Sequence, residues 1–260
     1  LSKEIKRIKL GYKAENKPRS YFFAGPTEER KTLLAKELTK VISNKNNLIR
    51  LDMSEYREEH SISKIIGSPP GYVGFSNKNT ILDEVKMKPN AIILLDEIEK
   101  AHPNVVNLFL QALDEGVMKS SNNEVIRMDN NIIIMTSNIG YKKENVGFGN
   151  SSETNVINKL KEFLGIEFVN RIDKVLAFNR LDQKSIRKII MNQIKELKKY
   201  FCFDDDNLII SSNVIEKIIE ESKFEEYGAR KIEKIIKDKL YDIIIDEILN
   251  KNVKITIETI

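Results

Sequence analysis

Cysteine and long apolar runs are scarce in this sequence. Cys202 is the one cysteine among 260 residues, which excludes an intramolecular disulfide and is typical of a protein that folds in a reducing compartment. No apolar run approaches the ~20 residues that a membrane-spanning helix requires, so we predict no membrane association. A signal-peptide pattern is missing and the chain begins with Leu1, so we expect a fragment of a longer protein.

Histidine content and charge exclude further classes of site and partner. His60 and His102 have no metal-ligating companions at a useful spacing, so the sequence predicts neither a zinc site nor a Ser/His/Asp triad. The 43 basic and 39 acidic residues leave a net charge of +4, with both signs mixed along most of the chain. Even the basic stretch at residues 3–13 is typical of a solvated helix face, so we predict no nucleic-acid partner.

Short apolar runs alternate with amphipathic segments up to about residue 180. Five of these runs are apolar on both faces and are predicted to be strands: residues 21–25, 48–53, 92–97, 132–137 and 175–178. Such runs are typical of a buried parallel sheet whose crossover connections are helices. Parallel sheets of this kind bind ligands at the carboxyl ends of their strands, so polar residues that follow a run are candidate site residues.

The pattern changes after residue 181, where apolar residues recur at the three- and four-residue spacing of helices. We predict three helices and two short strands here: helices 185–201, 213–223 and 230–250, and strands 207–211 and 253–258. Segments 119–123 and 151–155 are rich in Ser, Asn and charge and are predicted to be exposed loops. The sequence thus predicts two domains, an α/β domain over residues 1–180 and a small, mostly helical α+β domain over residues 181–260.

A phosphate-binding loop is indicated where the first apolar run ends. The run continues into Gly25-Pro26-Thr27-Glu28-Glu29-Arg30-Lys31-Thr32 and then into a helix-forming segment. In a P-loop the backbone N–H groups and a helix N-terminus cradle the phosphates, a lysine reaches the terminal phosphates and a threonine holds Mg²⁺. Lys31 and Thr32 occupy those two positions, after Gly25, Pro26 and Thr27 at the start of the loop. ATP and Mg²⁺ are therefore the predicted cofactors.

The loop departs from the working pattern at three residues. Arg30 occupies the glycine position before the lysine, where a positive φ is often needed, and a side chain there would cost ~1–2 kcal/mol of backbone strain. Glu28 and Glu29 add negative charge, and a carboxylate about 5 Å from a phosphate opposes binding by roughly 3 kcal/mol at an effective dielectric near 20. Because micromolar affinity is worth only about 8 kcal/mol, we predict weak ATP binding or none.

A second nucleotide-binding motif lies further along the chain, where the apolar run that begins at residue 92 ends in Asp96 and Glu97. At the end of a buried strand the first acid can hold the magnesium shell and the second can activate the attacking water. An apolar run before acids is also an ordinary strand end. The motif therefore indicates a nucleotide-binding site only in combination with the P-loop upstream.

Four segments carry a family resemblance: residues 49–56 (IRLDMSEY), 66–74 (IGSPPGYVG), 94–103 (LLDEIEKAHP) and 135–138 (MTSN). With them the chain resembles the second of the two ATPase modules in the long Clp chains of the AAA+ unfoldases. The similarity covers essentially the whole chain in the same order. It implies an AAA+ P-loop domain with a parallel sheet between helices, followed by a small lid domain.

The resemblance also implies roles for three residues near the nucleotide. Asn138 matches sensor 1, which orients the attacking water. Arg171, at the end of the EFVNR segment, matches the arginine finger that is offered to the neighbouring subunit's nucleotide, where it stabilises transition-state charge. Arg230, in the GAR segment, matches sensor 2, where the lid touches the nucleotide. The alternative for each arginine is a surface ion pair.

Two loop segments imply polypeptide partners. Tyr72 and Val73 match the pore loop, and an aromatic residue between glycines can grip any polypeptide irrespective of family. Val146, Gly147 and Phe148 match the tripeptide with which some members dock onto the ClpP peptidase. Members that only disaggregate lack this tripeptide, so the resemblance is greatest to the ClpC subgroup. The alternatives are ordinary turn chemistry for the first segment and a loop anchor for the second.

Two functions remain open. The first is an ATP-dependent motor: a hexameric ring, homo- or hetero-oligomeric, that threads unfolded polypeptide through its pore and feeds a peptidase, which does the cleaving. The second is a pseudo-ATPase ring subunit whose silenced P-loop leaves it a scaffold or regulator. A nucleic-acid motor shares the P-loop core but is disfavoured by the pore loop. The richness in Lys, Ile and Asn is typical of an AT-rich genome, so we expect a cytoplasmic or plastid-stroma location.

Overall fold

Two compact units make up the chain, Leu1–Asn179 and Arg180–Ile260, each with a hydrophobic core of its own. The structure is a computed structural model that describes residues 5–6, 16–25, 28–42, 47–69, 71, 80–139, 153–178, 182–224, 229–250 and 254–259. No helix in these ranges is long and apolar enough to cross a membrane.

A parallel sheet forms the centre of the first unit. The described strands are β1 (Arg19–Ala24), β2 (Leu48–Asp52), β3 (Ile92–Asp96), β4 (Val117–Lys119), β5 (Val125–Arg127), β6 (Ile132–Ser137) and β7 (Lys174–Ala177). Five of them pair in the order β2-β3-β6-β1-β7, and every pairing is parallel. The predicted parallel sheet is confirmed, and the predicted strand bounds agree closely with those observed.

Helices cover both faces of this sheet. They are α1 (Glu28–Ile42), α2 (Ser63–Ile66), α3 (Ile81–Met87), α4 (Pro103–Glu115), α5 (Glu153–Leu164) and α6 (Ile166–Asn170), with 3-10 turns at Met53–Tyr56, Glu59–Ile62 and Ile98–Lys100. On one face Ala35 and Leu38 of α1 pack against Phe23 and Ile134. The core on the other face is larger and is supplied by α3, α4, α5 and α6. Both faces are thus buried, which explains why the strands are apolar throughout.

The predicted loop at residues 119–123 forms the turn of a β-hairpin, apart from Lys119, which ends the first strand. Strands β4 and β5 pair antiparallel, and Ser120 Oγ accepts hydrogen bonds from the backbone N–H groups of Asn122 and Glu124 in the turn. Only Met118 and Ile126, the central residue of each strand, are buried. The prediction missed these strands because three residues are too few to show an alternating pattern.

The second unit is mostly helical. Its described elements are α7 (Gln183–Tyr200), β8 (Leu208–Ile210), α8 (Ser212–Ser222), α9 (Ala229–Ile235), a π-helical turn (Ile236–Tyr241), α10 (Asp242–Leu249) and β9 (Ile255–Ile257). Strands β8 and β9 pair in parallel. Asp182 and Ser211 cap α7 and α8 by accepting backbone N–H groups at their N-termini. The π turn interrupts the last predicted helix, and Cys202 lies in the turn after α7, exposed and at φ 58°.

Gly116 ends α4 and lies close to the chain that enters β1. Its φ is +69°, and a Cβ added there would lie 2.1 Å from the carbonyl oxygen of Asn16. Its N–H donates to the carbonyl of Ala112 at 3.0 Å, and its own carbonyl accepts from the N–H of Met128 at 2.8 Å. Glycine is required here both by the left-handed backbone and by the contact.

We expect Gly116→Ala to lower the free energy of unfolding by about 2–4 kcal/mol, the sum of left-handed strain and overpacking against a backbone atom. Urea unfolding measures the change. Lys223→Ala is the control, because exposed Lys223 already places a Cβ at a left-handed helix end, with φ 40°, and it should change stability by less than about 0.5 kcal/mol. A Gly116→Ala protein with the wild-type urea midpoint would contradict the packing of Asn16 on α4.

Candidate nucleotide-binding site

The candidate site lies at the carboxyl ends of β1, β3 and β6, on the face of the sheet that α1 covers. Leu94 of β3 pairs in register with Ile134 of β6, and both belong to the core beneath α1. Side chains alternate along a strand, so Asp96 and Thr136, two residues further on, point to that same face. The first turns of α1 approach this edge from above.

Lys31 is fully buried at this edge. Its Nζ donates to the carbonyl oxygen of Gly25 at 2.6 Å and to Oδ1 of Asn138 at 2.6 Å. Gly25 donates its own N–H to the carbonyl of Ser137 at 3.1 Å, and a Cβ added to Gly25 would lie 2.6 Å from Cβ of Phe178. A buried ammonium requires acceptors for its protons. The structure brings the predicted Lys31, Gly25 and Asn138 together to supply them.

The Asp96 carboxylate is buried and accepts hydrogen bonds from three side chains. Thr32 Oγ1 lies 3.1 Å from each carboxylate oxygen, and Thr136 Oγ1 donates to Oδ1 at 2.6 Å. Arg50 donates to Oδ2 from both Nε, at 3.1 Å, and Nη2, at 2.7 Å. A hydroxyl and a carboxylate in contact are oxygen ligands that suit Mg²⁺, so the predicted pair Thr32 and Asp96 fits that ion.

Glu97 follows Asp96 in a left-handed conformation, with φ 58° and ψ 55°, which is uncommon for a residue other than glycine. Its N–H donates to Thr136 Oγ1 at 3.0 Å, which holds the turn in place. Its carboxylate forms an ion pair with Lys100 and accepts from Nδ2 of Asn138 at 3.4 Å. Glu97 therefore points along the edge of the site, with its charge compensated by Lys100.

Asn138 connects Lys31 with Glu97. Its side chain accepts from Lys31 and donates to Glu97, and its backbone N–H donates to Glu99 Oε1 at 2.9 Å. The other oxygen of Glu99, Oε2, is buried and has no hydrogen-bond partner within the ranges that the structure describes. The predicted sensor residue is thus positioned by a carboxylate that the sequence reasoning did not select.

The sequence reasoning missed four residues of the site: Arg50, Glu99, Lys100 and Thr136. Arg50 is two residues before Asp52 on β2, and Asp52 pairs in register with Asp96, so strand alternation could have identified it once the pairing was known. Hydrogen bonds from Ser54, with the charge of Arg50, hold the pKa of Asp52 below its ordinary value. Arg50 is therefore a cation placed between two carboxylates.

Arg171 lies at the end of α6, in a cluster of its own. Its Nη2 donates to Asp114 at 3.1 Å, and its Nη1 donates to the carbonyl of Glu167 at 3.1 Å. The Arg171 hydrogen bond holds the pKa of the Asp114 carboxyl below its ordinary value, and Asp114 in turn raises the pKa of Arg171. In this chain Arg171 makes the surface ion pair that the sequence analysis held open as its alternative.

Several predicted site residues lie outside the described part of the chain. These are Pro26, Thr27, Tyr72, Val73, Val146, Gly147 and Phe148. Backbone alone is described for Arg230, which is in α9, and for the loop residues Glu28, Glu29 and Arg30, which form the first turn of α1.

The helical backbone at Arg30 corrects one expectation. A residue in a right-handed α-helix carries no positive-φ strain, so the strain predicted for a side chain at this position does not arise. The charge expectation stays a prediction: Glu28 and Glu29 lie at the N-terminus of α1, the end of a helix that attracts anions.

Comparison with known proteins assigns the family. The family model described as AAA domain (Cdc48 subfamily) matches residues 16–175, and the model of the C-terminal, D2-small domain of ClpB protein matches residues 181–260. The chaperone protein ClpB of Oceanobacillus iheyensis is 37% identical over 96% of this chain and 32% of its own length. The ClpC ATP-binding subunit of the Clp protease of Staphylococcus aureus is 35% identical over 99% of this chain and 34% of its own.

A solved structure agrees with these matches. A closed-state cryo-EM reconstruction of Hsp104 with ATPγS and FITC casein aligns over 100% of this chain and 46% of its own, with a TM-score of 0.82 and 28% identity. The chain spans about a third of the length of the curated relatives. It belongs to the Clp family of AAA+ proteins, as an AAA domain followed by the small C-terminal domain of the ClpB type.

Proposed function

We propose that this chain is the second ATPase module of a Clp-type ring that threads unfolded polypeptide through a central pore at the expense of ATP. The observation that carries the proposal is the cluster at the carboxyl edge of the sheet. Hydrogen bonds there join Lys31 to Asn138 and Asn138 to Glu97, and another joins Thr32 to Asp96. Thr136 bridges the two groups, because it accepts from the Glu97 N–H and donates to Asp96. Their chemical types are those that bind a magnesium–nucleotide complex and orient water for phosphoryl transfer.

Each residue of the cluster has a distinct role. Lys31 and the N–H groups at the start of α1 bind the phosphates, together with Gly25, Pro26 and Thr27. Thr32 and Asp96 hold Mg²⁺, which neutralises charge on the phosphates when bound. Glu97 accepts a proton from the attacking water, which requires its carboxylate to part from Lys100. Asn138 orients that water and Arg230 contacts the nucleotide from the lid domain. We place the boundary between the two domains near residue 180.

The alternative is a ring subunit with a silenced P-loop that acts as scaffold or regulator. Glu28 and Glu29 favour it, because they place two negative charges in the first turn of α1. The intact Glu97 and Asn138 favour the motor, since a silenced site does not need them.

The remaining assignments concern partners. The Hsp104 structure was obtained with casein, which supports a polypeptide substrate gripped by Tyr72 and Val73 in a hexameric ring. The ClpC relative is a subunit of a protease, which supports docking of a ClpP-type peptidase by Val146, Gly147 and Phe148. ClpB and ClpC relatives match at nearly the same identity, so docking depends on the tripeptide alone.

Calorimetric titration with ATP and Mg²⁺ separates the two functions. We compare wild type with two variants, Glu28→Gln/Glu29→Gln, which removes charge alone, and Glu28→Gly/Arg30→Gly, which restores glycine. If charge silences the loop, wild type gives no heat and the glutamine variant binds at least about tenfold more tightly, a gain of 1.4 kcal/mol.

The glycine variant serves as the control for backbone strain. We expect it to gain less than the glutamine variant, because Arg30 is already helical. Micromolar binding by wild type would exclude the silenced loop and establish the module as an ATP-binding one. Absence of heat for all three proteins would contradict the nucleotide site itself.

The role of Arg171 is tested by complementation between subunits, in whichever background hydrolyses ATP. Arg171→Ala should lower hydrolysis about 10³-fold with nucleotide binding unchanged, because the finger acts on the neighbour's site. Mixing Arg171→Ala with Glu97→Gln subunits should restore part of the activity, since each supplies what the other lacks. Arg127→Ala is the control, because Arg127 also forms a surface ion pair, with Asp129. Mixed subunits that stay inactive would show that Arg171 serves only its own chain.

A further inference from the structure

Asp96 carries a cation of its own in this structure, the guanidinium of Arg50. Two N–H groups of Arg50 converge on Oδ2 at 2.7 and 3.1 Å. Asp96 is 4% exposed, so its negative charge is buried and needs compensation. A planar guanidinium that donates twice to one carboxylate is a strong, geometrically defined partner.

The position of Arg50 in the sheet explains how it reaches this carboxylate. Arg50 is on the edge strand β2 and pairs in register with Leu94, two residues before Asp96 on β3. Strand alternation places both charged side chains on the same face, beneath the start of α1. The Arg50 side chain is 46% exposed. The guanidinium can therefore leave the carboxylate for solvent without unpacking a core.

Arg50 and a magnesium ion would compete for the same carboxylate oxygens of Asp96. Mg²⁺ demands oxygen ligands at 2.0–2.1 Å in an octahedron and retains several water molecules. In this structure the donors of Thr32, Thr136 and Arg50 already surround Asp96 at hydrogen-bonding distance. A carboxylate offers about four acceptor positions, so an added ion competes with these donors, and Arg50 is the one whose side chain is half exposed to solvent.

We propose that Arg50 is a resident counter-ion of Asp96 that competes with Mg²⁺ and so sets how strongly this site depends on the metal. The inference rests on the proposed function in one respect, that Asp96 belongs to a magnesium–nucleotide site. Arg50 stabilises the metal-free chain, and Mg²⁺ must displace it. Arg50 is a positioning residue, because it acts through Asp96 and not on the substrate.

Thermal unfolding without nucleotide tests the competition directly. We expect Mg²⁺ to leave the melting temperature of wild type unchanged, at constant ionic strength set with NaCl. Arg50→Gln keeps a polar side chain but removes the charge, so its melting temperature should fall by several degrees without metal. Millimolar Mg²⁺ should then restore most of the loss, and calorimetry should show at least about tenfold tighter Mg²⁺ binding than in wild type, or 1.4 kcal/mol.

Arg127→Gln is the matched control. Arg127 is 69% exposed and pairs with Asp129, whose side chain is 5% exposed, so the pair has the same chemistry at a different place. We expect Arg127→Gln to be destabilised and Mg²⁺ to have no effect on it. Arg50→Lys, which keeps the positive charge, should resemble wild type and is the variant to use should Arg50→Gln fail to fold with and without metal.

Two results would overturn the proposal: stabilisation of wild type by Mg²⁺ equal to that of Arg50→Gln, or an Arg50→Gln loss that Mg²⁺ does not repair. If Arg50→Gln does not fold and Arg50→Lys is used in its place, a large rise in the melting temperature of Arg50→Lys on adding Mg²⁺ would also overturn the proposal. Because no nucleotide is present, these outcomes are independent of whether the chain binds ATP. Failure of the ATP titration would therefore not contradict the competition between Arg50 and Mg²⁺. Failure of the Mg²⁺ experiment would likewise not contradict ATP binding.

Discussion

The buried Asp96 carboxylate is the interaction on which the rest of the site depends. Its hydrogen bonds come from Thr32 in α1, Arg50 in β2 and Thr136 in β6, while Asp96 itself ends β3. One negative charge thus connects the first helix to three strands of the sheet. A carboxylate so buried has to be satisfied by donors with fixed positions. The elements that supply them are therefore held at defined places relative to one another.

A second chain of polar contacts runs beside the first. It passes from the buried ammonium of Lys31 through Asn138 to Glu97 and Lys100. Positive and negative groups alternate along it, with the Asn138 amide between two of them. A change at one end alters the partners available at the other. This arrangement gives a physical route by which a change in the partners of Lys31 can influence Glu97.

The start of α1 shows that the positive end of a helix can favour either of two negative groups. The N-terminus of a helix carries partial positive charge, which either a bound phosphate or an acidic side chain can satisfy. Here Glu28 and Glu29 occupy that place in the sequence. Both residues are in the helix, so the backbone strain expected of a side chain in this loop does not arise. The sequence predicted backbone strain at Arg30, whereas the structure places Arg30 in a regular helix.

Much of the fold could be predicted, because the signals are local and long. The runs at β3 and β6 are apolar on both faces, and helices such as α7 repeat apolar residues at helical spacing, so each announces its own type. Short elements gave no such signal. The hairpin around Ser120 has three residues in each strand, and each of the two 3-10 turns after β2 has four.

The site residues likewise fall into those that the sequence identified and those that the tertiary structure decided. Lys31, Thr32, Asp96 and Glu97 could be selected from the sequence, because each stands in a contiguous motif at the end of an apolar run. Asn138 was selected through the resemblance of its segment to the Clp family. That Arg50 would compensate Asp96, and that Glu99 would hold the backbone of Asn138, was decided only by the tertiary structure. Both contacts join residues about 40 positions or more apart. They depend on strand order and register, which no local pattern specifies.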